Sequence, residues 1–463
     1  MGAAVSDWRL ARAVSRLGQL GVVSGTALAT ILARRLQLGD SGGEMRRALE
    51  HFPIPEMADR ILADYFIEGG KSPTTPFKLN AMPALRFGAT LNELTVVANF
   101  VEVFLAKECH EGLVGINLLE KIQLPTLPSL FGAMLAGVDY VLMGAGIPRN
   151  IPGALDLMAE GKPASLKIDV EGALPGEEFI STFDPRTICG ANFSNLKRPQ
   201  FLAIVASATL AITLAKKSNG RVEGFVVECE TAGGHNAPPR GAMQLNGSGE
   251  PIYGPRDVPE FEKIRNLGLP FWLAGSYAHA DKLDEAISLG ATGIQVGTAF
   301  AFCEESGIEA GIKQRALELV RSGNVQVFTD PVASPTGFPF KVVQMDGTLS
   351  DSARVEKRPR ICDLGYLRQN YRKEDGTLGY RCPAEPIDDF LRKGRTLGET
   401  VGRKCVCNGL TGTVGLGQVR SRNEVELALL TAGNDIANLG RFLKPGCKAY
   451  TARDVISHLL GCG

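Results

Sequence analysis

The chain has 463 residues, of which 44% are hydrophobic and 22% are charged, a composition typical of a folded globular enzyme. Lysine plus arginine and aspartate plus glutamate both number 50, so no net field attracts nucleic acid or an anionic membrane. No basic segment followed by an apolar core opens the sequence, and no apolar run reaches about 20 residues, which predicts a cytoplasmic protein without a membrane partner. Ten cysteines in so long a chain favour reduced thiols or metal ligands over a disulfide framework.

Strands and helices alternate along residues 1–325, and this alternation predicts a parallel sheet. The predicted strands are residues 20–23, 113–118, 140–143, 165–170, 201–205, 225–228, 270–274 and 293–296. The predicted helices are residues 5–17, 26–37, 56–66, 94–109, 128–136, 152–160, 207–216, 261–266, 281–289 and 304–319. About seven or eight such units favour an α/β fold of the closed (β/α)8 TIM barrel type over an open sheet.

Parts of the chain depart from this alternation. The strand that should precede the first helix of a barrel is absent or reduced to residues 1–4. Two stretches, about residues 41–92 and 171–199, have the character of insertions. Residues 326–463 form a predicted C-terminal cap, an appendage that contains several cysteines. Helical spacing returns within it at residues 424–431 and 452–460.

A glycine-rich loop follows a short apolar predicted strand. Residues 224–229 include Phe225, Val226 and Val227, the pattern of a strand buried on both faces, and Gly233-Gly234-His235 comes after it. Two glycines let the backbone lie flat against a planar or phosphorylated ligand. A histidine at the carboxyl end of a barrel strand lies where such barrels keep their chemistry, although a plain turn containing histidine is about as common.

Two further glycine loops follow the last two predicted strands. They are Gly275-Ser276 and Gly297-Thr298, with Gln295 just before the second loop. Backbone N–H groups exposed at such places hold phosphate dianions in barrels, and the two hydroxyl groups add donors. The pair of loops, one helix apart, favours a phosphate site over two structural turns.

These loops, in this order and spacing, resemble the nitronate monooxygenase family, whose members are FMN-binding barrels. Residues 17–23 resemble the family's early glycine-rich segment, and residues 114–118 resemble its next strand. The resemblance extends over roughly residues 5–345. It implies a flavin-dependent oxidoreductase with non-covalently bound FMN, which oxidises nitronates or nitroalkanes with oxygen and acts on a small molecule. The resemblance is also compatible with a homo-oligomer.

The resemblance also implies a role for each matched residue. Asn117 and Glu228 would touch the flavin ring or its ribityl chain, and Gly233 and Gly234 would pack beneath it. The phosphate end would be held by Gly275, Ser276, Gln295, Gly297 and Thr298. His235 would be the catalytic base, because an imidazole with a pKa near neutrality can take a proton from the carbon next to a nitro group.

Some residues depart from the family pattern. The family's first strand ends in a Met-Gly pair, which only Met1-Gly2 can match here. Ser276 replaces a usual glycine, and Glu228 replaces a usual glutamine. Two other functions therefore stay open, an NAD(P)H-dependent reductase of enoyl thioesters or quinones on the same barrel and a non-catalytic flavin- or metal-binding assembly protein.

Four C-terminal cysteines form a second candidate site. Cys362, Cys382, Cys405 and Cys407 lie close together in sequence, and four thiolates can hold zinc or an iron–sulfur cluster. Their spacing contains no CxxC pair, so reduced buried thiols are the alternative. The segment Pro335–Phe340 could cover the barrel mouth, with Phe338 or Phe340 against a substrate.

Overall fold

Seven parallel strands form the main sheet of the computed structural model, which describes residues 2–86, 88–190, 195–420 and 424–461. The strands are β1 (Gly21–Ser24), β2 (Val114–Leu119), β3 (Tyr140–Gly144), β4 (Ala164–Lys167), β5 (Ile180–Phe183), β6 (Gln200–Val205), β7 (Gly224–Glu228), β8 (Phe271–Ala274), β9 (Gly293–Gln295), β10 (Val327–Asp330), β11 (Phe340–Val343), β12 (Gln369–Arg372) and β13 (Leu378–Arg381). The sheet order is β1-β2-β3-β6-β7-β8-β9, and every neighbouring pair is parallel. The predicted α/β barrel class is confirmed, with seven strands in the curled sheet.

Helices follow the strands as the alternation predicts. They are α1 (Trp8–Arg16), α2 (Leu28–Gln37), α3 (Glu44–Glu50), α4 (Pro55–Tyr65), α5 (Ala89–Lys107), α6 (Thr126–Leu135), α7 (Ile151–Ala159), α8 (Arg186–Cys189), α9 (Ala208–Lys217), α10 (Phe261–Arg265), α11 (Ala280–Ser288), α12 (Thr298–Ala301), α13 (Ala310–Arg321), α14 (Ser352–Lys357), α15 (Ile387–Arg392), α16 (Val406–Thr413) and α17 (Ala452–Leu460). Side chains cap several N-termini: Asp7 accepts from the first N–H groups of α1, and Ser207 caps α9. The capping box Thr451–Asp454 begins α17.

Residues 2–7 contain no strand, and they lie where the first strand of a barrel would run. The Ser24 N–H donates to the Ser6 carbonyl at 2.8 Å, and the Ser6 hydroxyl donates to the Val22 carbonyl at 2.6 Å. On the other side, the Gly307 N–H donates to the Val5 carbonyl at 2.8 Å. This turn-containing segment therefore links β1 to the chain after β9. Met1, half of the predicted Met-Gly pair, lies outside the described residues.

A buried ion triad holds this segment in place. Arg35 donates to Asp7 at 3.0 Å and to Glu102 at 2.8 Å, and the Trp8 N–H also donates to Glu102. The carboxylate side chains of Asp7 and Glu102 are 0% and 3% exposed, so neither is hydrated. Because an unpaired buried carboxylate is costly, the triad fixes α1 and the segment before it against α2 and α5.

Three predicted elements are wrong. The strand predicted at 165–170 forms as β4, but it pairs antiparallel with β5 inside the second insertion, while β3 pairs directly with β6. Residues 424–431 form no helix, and the Leu429 N–H donates to the Gly409 carbonyl of α16 at 2.9 Å. The helix predicted at 304–319 begins only at Ala310, as α13, and the turn before it is tied to Val5 through the Gly307 N–H.

Helix α5 is the single described helix that is long and apolar enough to cross a membrane. It is a core helix instead, because 72% of its most apolar window is buried inside the protein. It packs against α2 and α6 through residues such as Val96, Val97 and Phe100.

The C-terminal segment packs into the barrel rather than beside it. One hydrophobic cluster combines Val5 and Ala299 of the barrel with Leu430, Ile436 and Val455. Strand β10 pairs with β11. The division of the chain into a barrel domain, residues 1–325, and a C-terminal cap, residues 326–463, stays a prediction. As a result, residues beyond 325 reach the carboxyl ends of the barrel strands.

Candidate functional site

The ten residues predicted for the ligand site all line two adjoining cavities at the carboxyl ends of the barrel strands. The barrel cavity, of about 490 Å³, lies inside the strands and reaches Gly275, Ser276, Gly297 and Thr298. The outer cavity, of about 120 Å³, is lined by Asn117 and His235. Both cavities share Glu228, Gly233, Gly234 and Gln295. The barrel cavity has the size of a typical cofactor or small-molecule site.

Three polar side chains that line this space make no hydrogen bond to a described residue. Asn117 lies near the end of β2, Glu228 ends β7 and Gln295 ends β9. Burial raises the pKa of Glu228 to about 7, so its carboxyl group is about half protonated at neutral pH and increasingly protonated below it. Unpaired polar groups in a protein interior cost free energy, and a polar ligand in the cavity would satisfy these three.

The two predicted phosphate loops lie together at one end of the barrel cavity. Ser276 has φ of 57°, the left-handed conformation that a glycine adopts more easily. A Cβ built on Gly297 would meet no atom within 4 Å, so the backbone there is open to a ligand. No lysine or arginine is among the described residues that line the cavity. A phosphate would therefore depend on N–H and hydroxyl donors.

The loop that carries His235 is tied to β11 by backbone hydrogen bonds. The Lys341 N–H donates to the Gly234 carbonyl at 2.9 Å, and the Asn236 N–H donates to the Pro339 carbonyl at 2.9 Å. The side chain of His235 is held separately, because its Nε2 lies 2.7 Å from the Ser334 hydroxyl oxygen. The segment predicted to cover the barrel mouth therefore positions the histidine.

The imidazole of His235 is neutral at physiological pH. Burial, with a smaller contribution from the Lys121 ammonium group, lowers its pKa to about 4. The Phe340 ring packs on it edge-on, with ring centres 4.7 Å apart, and Lys121 lies 4.0 Å from the Phe338 ring centre. The pKa of His235 is therefore lower than the near-neutral value expected from the sequence, because apolar side chains replace the water that would stabilise an imidazolium ion.

The C-terminal segment supplies residues that the sequence alone did not assign to the site. Thr431 accepts a hydrogen bond from the Gly234 N–H at 2.9 Å, and the Gly433 N–H donates to the Thr298 hydroxyl at 2.9 Å. A Cβ on Gly233 would lie 2.7 Å from the Gly433 nitrogen, so this glycine is required for packing against the C-terminal segment. No local motif marks these contacts, since they join residues about 135 to 200 positions apart in sequence.

The four predicted metal-ligand cysteines come together around a third, small cavity of about 10 Å³. Cys362, Cys382 and the Cys405/Cys407 pair reach it from three segments, and burial raises the pKa of each thiol. Within the described ranges, however, no group of three or more His, Cys, Asp or Glu side chains is placed to hold a metal ion. The zinc or iron–sulfur site stays a prediction.

A family comparison matches part of the chain. Residues 159–330 match the family described as nitronate monooxygenase. This range includes β6 to β9 and the three glycine loops, but it is shorter than the predicted 5–345 and covers less than half of the chain. The resemblance predicted from the sequence is confirmed over these residues. No curated protein matches the sequence.

Solved structures resemble the chain at low sequence identity. Nitroalkane oxidase from Streptomyces ansochromogenes has a TM-score of 0.47 at 13% identity, with 100% of this chain and 93% of that chain covered. FabK from Thermotoga maritima has a TM-score of 0.43 at 14% identity, with 99% of this chain and 89% of that chain covered. The site is therefore interpreted from its own geometry.

Proposed function

We propose that this chain, a flavin-dependent oxidoreductase by its match to the nitronate monooxygenase family, binds FMN and oxidises nitronates or nitroalkanes with oxygen. The observation that carries the proposal is that Asn117, Glu228 and Gln295, whose side chains bond to no described residue, line two adjoining cavities of about 490 and 120 Å³. A flavin ring carries donors and acceptors along one edge, and such a set would satisfy them.

The residues around the barrel cavity fit FMN. The ring system would lie near Asn117, Glu228 and the Gly233-Gly234 backbone, and the phosphate would lie near Ser276 and Thr298. A protonated Glu228 donates a hydrogen bond to a ring carbonyl, as the usual glutamine amide would, so the departure at this position is compatible with a flavin. When bound, the flavin would supply the electron acceptor, while oxygen completes cleavage to a carbonyl compound and nitrite.

His235 would act as a neutral base at the mouth of the cavity. Its imidazole is unprotonated above about pH 4 and hydrogen-bonded to Ser334, so it can accept a proton from the carbon next to a nitro group. A base this weak removes such a proton slowly, because general-base efficiency falls when the base pKa lies far below the working pH. A nitronate, which is already deprotonated, is for this reason the better substrate.

The function is tested on purified protein in two steps. A visible spectrum reports a bound flavin, and oxygen uptake with nitrite release from propyl-1-nitronate reports the reaction. Flavin bleaching by NADPH under anaerobic conditions, without nitrite release from any nitronate, would instead favour the enoyl-thioester or quinone reductase. A colourless protein that rejects added FMN would favour the assembly protein.

A further inference from the structure

We propose that the outer cavity binds an apolar chain of about six carbons on the substrate, and that the C-terminal segment sets this length. The inference rests on the proposed function for the position of the reacting carbon, but the cavity and its walls are independent of it. The later residues that line the outer cavity lie outside the matched family range 159–330.

Aliphatic side chains line much of the outer cavity, beside the polar groups at its opening to the barrel cavity. The barrel side contributes Leu119, which ends β2, and Ile122. The opposite side comes from the C-terminal segment, where Leu367, Val406 and Leu410 face the cavity. An apolar cavity of about 150 Å³ stays dry and binds benzene, so about 120 Å³ suits a chain or ring of roughly six carbons.

The outer cavity opens on the reacting groups. His235 and Phe340 line it, and it shares Glu228 with the barrel cavity, where the flavin would lie. A substrate whose polar head lies at His235 therefore has its apolar chain directed between β2 and the C-terminal segment. No charged side chain other than Glu228 lines this cavity within the described residues, so an anionic or cationic chain end is disfavoured.

A buried, unpaired polar atom lies beyond the outer cavity. A cavity of about 20 Å³ adjoins the outer cavity across their shared residues Ala27, Ile122 and Tyr366. Asn99 lines this small cavity, and its Oδ1 is buried without a hydrogen-bond partner among the described residues. An apolar chain that extended so far would prevent Asn99 Oδ1 from gaining a hydrogen bond, so the favourable length ends there.

The holoenzyme is titrated with straight-chain primary amides from acetamide to octanamide, while the flavin spectrum and the thermal transition are followed. Each methylene that enters an apolar cavity should tighten binding about fourfold, up to about six carbons, with no gain beyond. The same limit should appear in kcat/KM for straight-chain nitronates. Because amides do not react, the amide series reports the cavity even if nitronates are not substrates.

Leu367→Phe is the test variant, because Leu367 is half-buried and lines the outer cavity but not the barrel cavity. It should shorten the best chain by one to two carbons while flavin content stays unchanged. Leu397→Phe, at a side chain 57% exposed in the same segment, is the matched control and should leave the limit unchanged. Affinity that does not depend on chain length, or an unchanged limit in Leu367→Phe, would overturn the inference.

Discussion

His235 combines two properties that are seldom found in one base. It is rigidly placed by Ser334 and by the β11 backbone, and burial lowers its pKa to about 4. The first property favours catalysis by proximity, while the second weakens the imidazole as a base. Which property dominates depends on the substrate: a neutral nitroalkane must lose a proton to the base, whereas a nitronate has already lost it.

For this reason His235→Asn should lower kcat/KM for a neutral nitroalkane by about 10²- to 10⁴-fold, the usual loss of a general base. The loss for the corresponding nitronate should be smaller, since no proton has to be removed. Flavin content should stay close to that of the wild type, because the imidazole does not line the barrel cavity. Steady-state kinetics with both forms of one substrate measure the two losses.

Ser334→Ala serves as a control for position. It removes the hydroxyl next to Nε2 but keeps the imidazole, so both substrate forms should lose activity to a similar and modest extent. Equal large losses in His235→Asn on nitroalkane and nitronate would show that His235 orients the substrate. Full activity of that variant on every substrate would contradict its catalytic role.

Glu228 makes the stability of the flavin-free protein depend on pH. Its pKa is 4.5 in an exposed chain and about 7 in the fold, so the folded state holds more protons between these values. The favourable contribution is complete below about pH 4.5 and is lost as the pH rises through about 7. Relative to the wild type, Glu228→Gln should therefore gain unfolding free energy from pH 4.5 to 8, as measured by urea unfolding.

His235 and the other buried titratable groups are present in both proteins. Their pH dependence therefore cancels in the difference in unfolding free energy between wild type and Glu228→Gln. A difference between wild type and Glu228→Gln that stays constant from pH 4.5 to 8 would show that Glu228 is ionised in the fold.

At the scale of elements, the turn between β9 and α12 decides whether a phosphate can bind. A side chain at Gly297 would project into space that is now open, where the ligand backbone contacts would form. Gly297→Leu should weaken FMN binding by about 2–4 kcal/mol, roughly 30- to 1,000-fold, through the loss of one or two hydrogen bonds to a charged group. Fluorescence quenching of added FMN gives the affinity.

Gly440→Leu is the matched control, because its Cβ also meets no atom within 4 Å but lies at an exposed position of the 3₁₀ helix Asn434–Phe442. It should bind FMN as the wild type does. Unchanged flavin content in Gly297→Leu would remove this loop from the phosphate site.

The small cysteine cavity allows a separate measurement. If Cys405 and its three neighbours bind metal, purified protein should contain about one zinc ion or one iron–sulfur cluster per chain, and Cys405→Ser should lower that content. Cys447→Ser, at an exposed thiol, should leave it unchanged. Metal-free protein of normal stability would mean that the four thiols only pack.

The local sequence pattern predicted most of the strands and helices of the barrel. It failed where the position of a strand depends on which other strand it pairs with. Strand β7 is marked by its own apolar residues, and α17 by its spacing and its Thr451 cap. The pattern of β4 is equally strand-like, yet its partner β5 lies in an insertion, and no local signal records which strand it joins. The glycine loops were found because a positive φ or an open backbone requires particular residue types.

At the scale of the whole molecule, the Arg35 triad is the most vulnerable point. Removing Arg35 leaves the buried carboxylate of Glu102 without an ion-pair partner, while Asp7 keeps only its contact with the half-exposed Arg9. Arg35→Ala should lower the free energy of unfolding by about 3–5 kcal/mol, the usual cost of breaking a buried ion pair. Arg16→Ala, at an exposed residue of α1, should change it by less than about 0.5 kcal/mol.

Urea unfolding at pH 7 measures both variants. Equal stability of Arg35→Ala and wild type would show that the segment 2–7 is held by packing alone.

Long-range contacts are the part of the site that sequence reasoning could not supply. Thr431 touches Gly234, and Leu367 faces Ile122 across the outer cavity, although hundreds of residues separate them in the chain. Neither residue has a chemical type or spacing that suggests a ligand site. Their roles follow only from the three-dimensional path of the C-terminal segment.

Both ends of the described chain line the barrel cavity, with Gly2 at one end and Leu459 at the other. During synthesis on the ribosome, the cavity therefore stays incomplete until α17 has left the exit tunnel. A nascent chain that stops after β9 has all three glycine loops but lacks Thr431 and the helix that closes the site. We therefore expect the cofactor to load only after α17 has emerged, so that flavin supply affects the yield of folded protein.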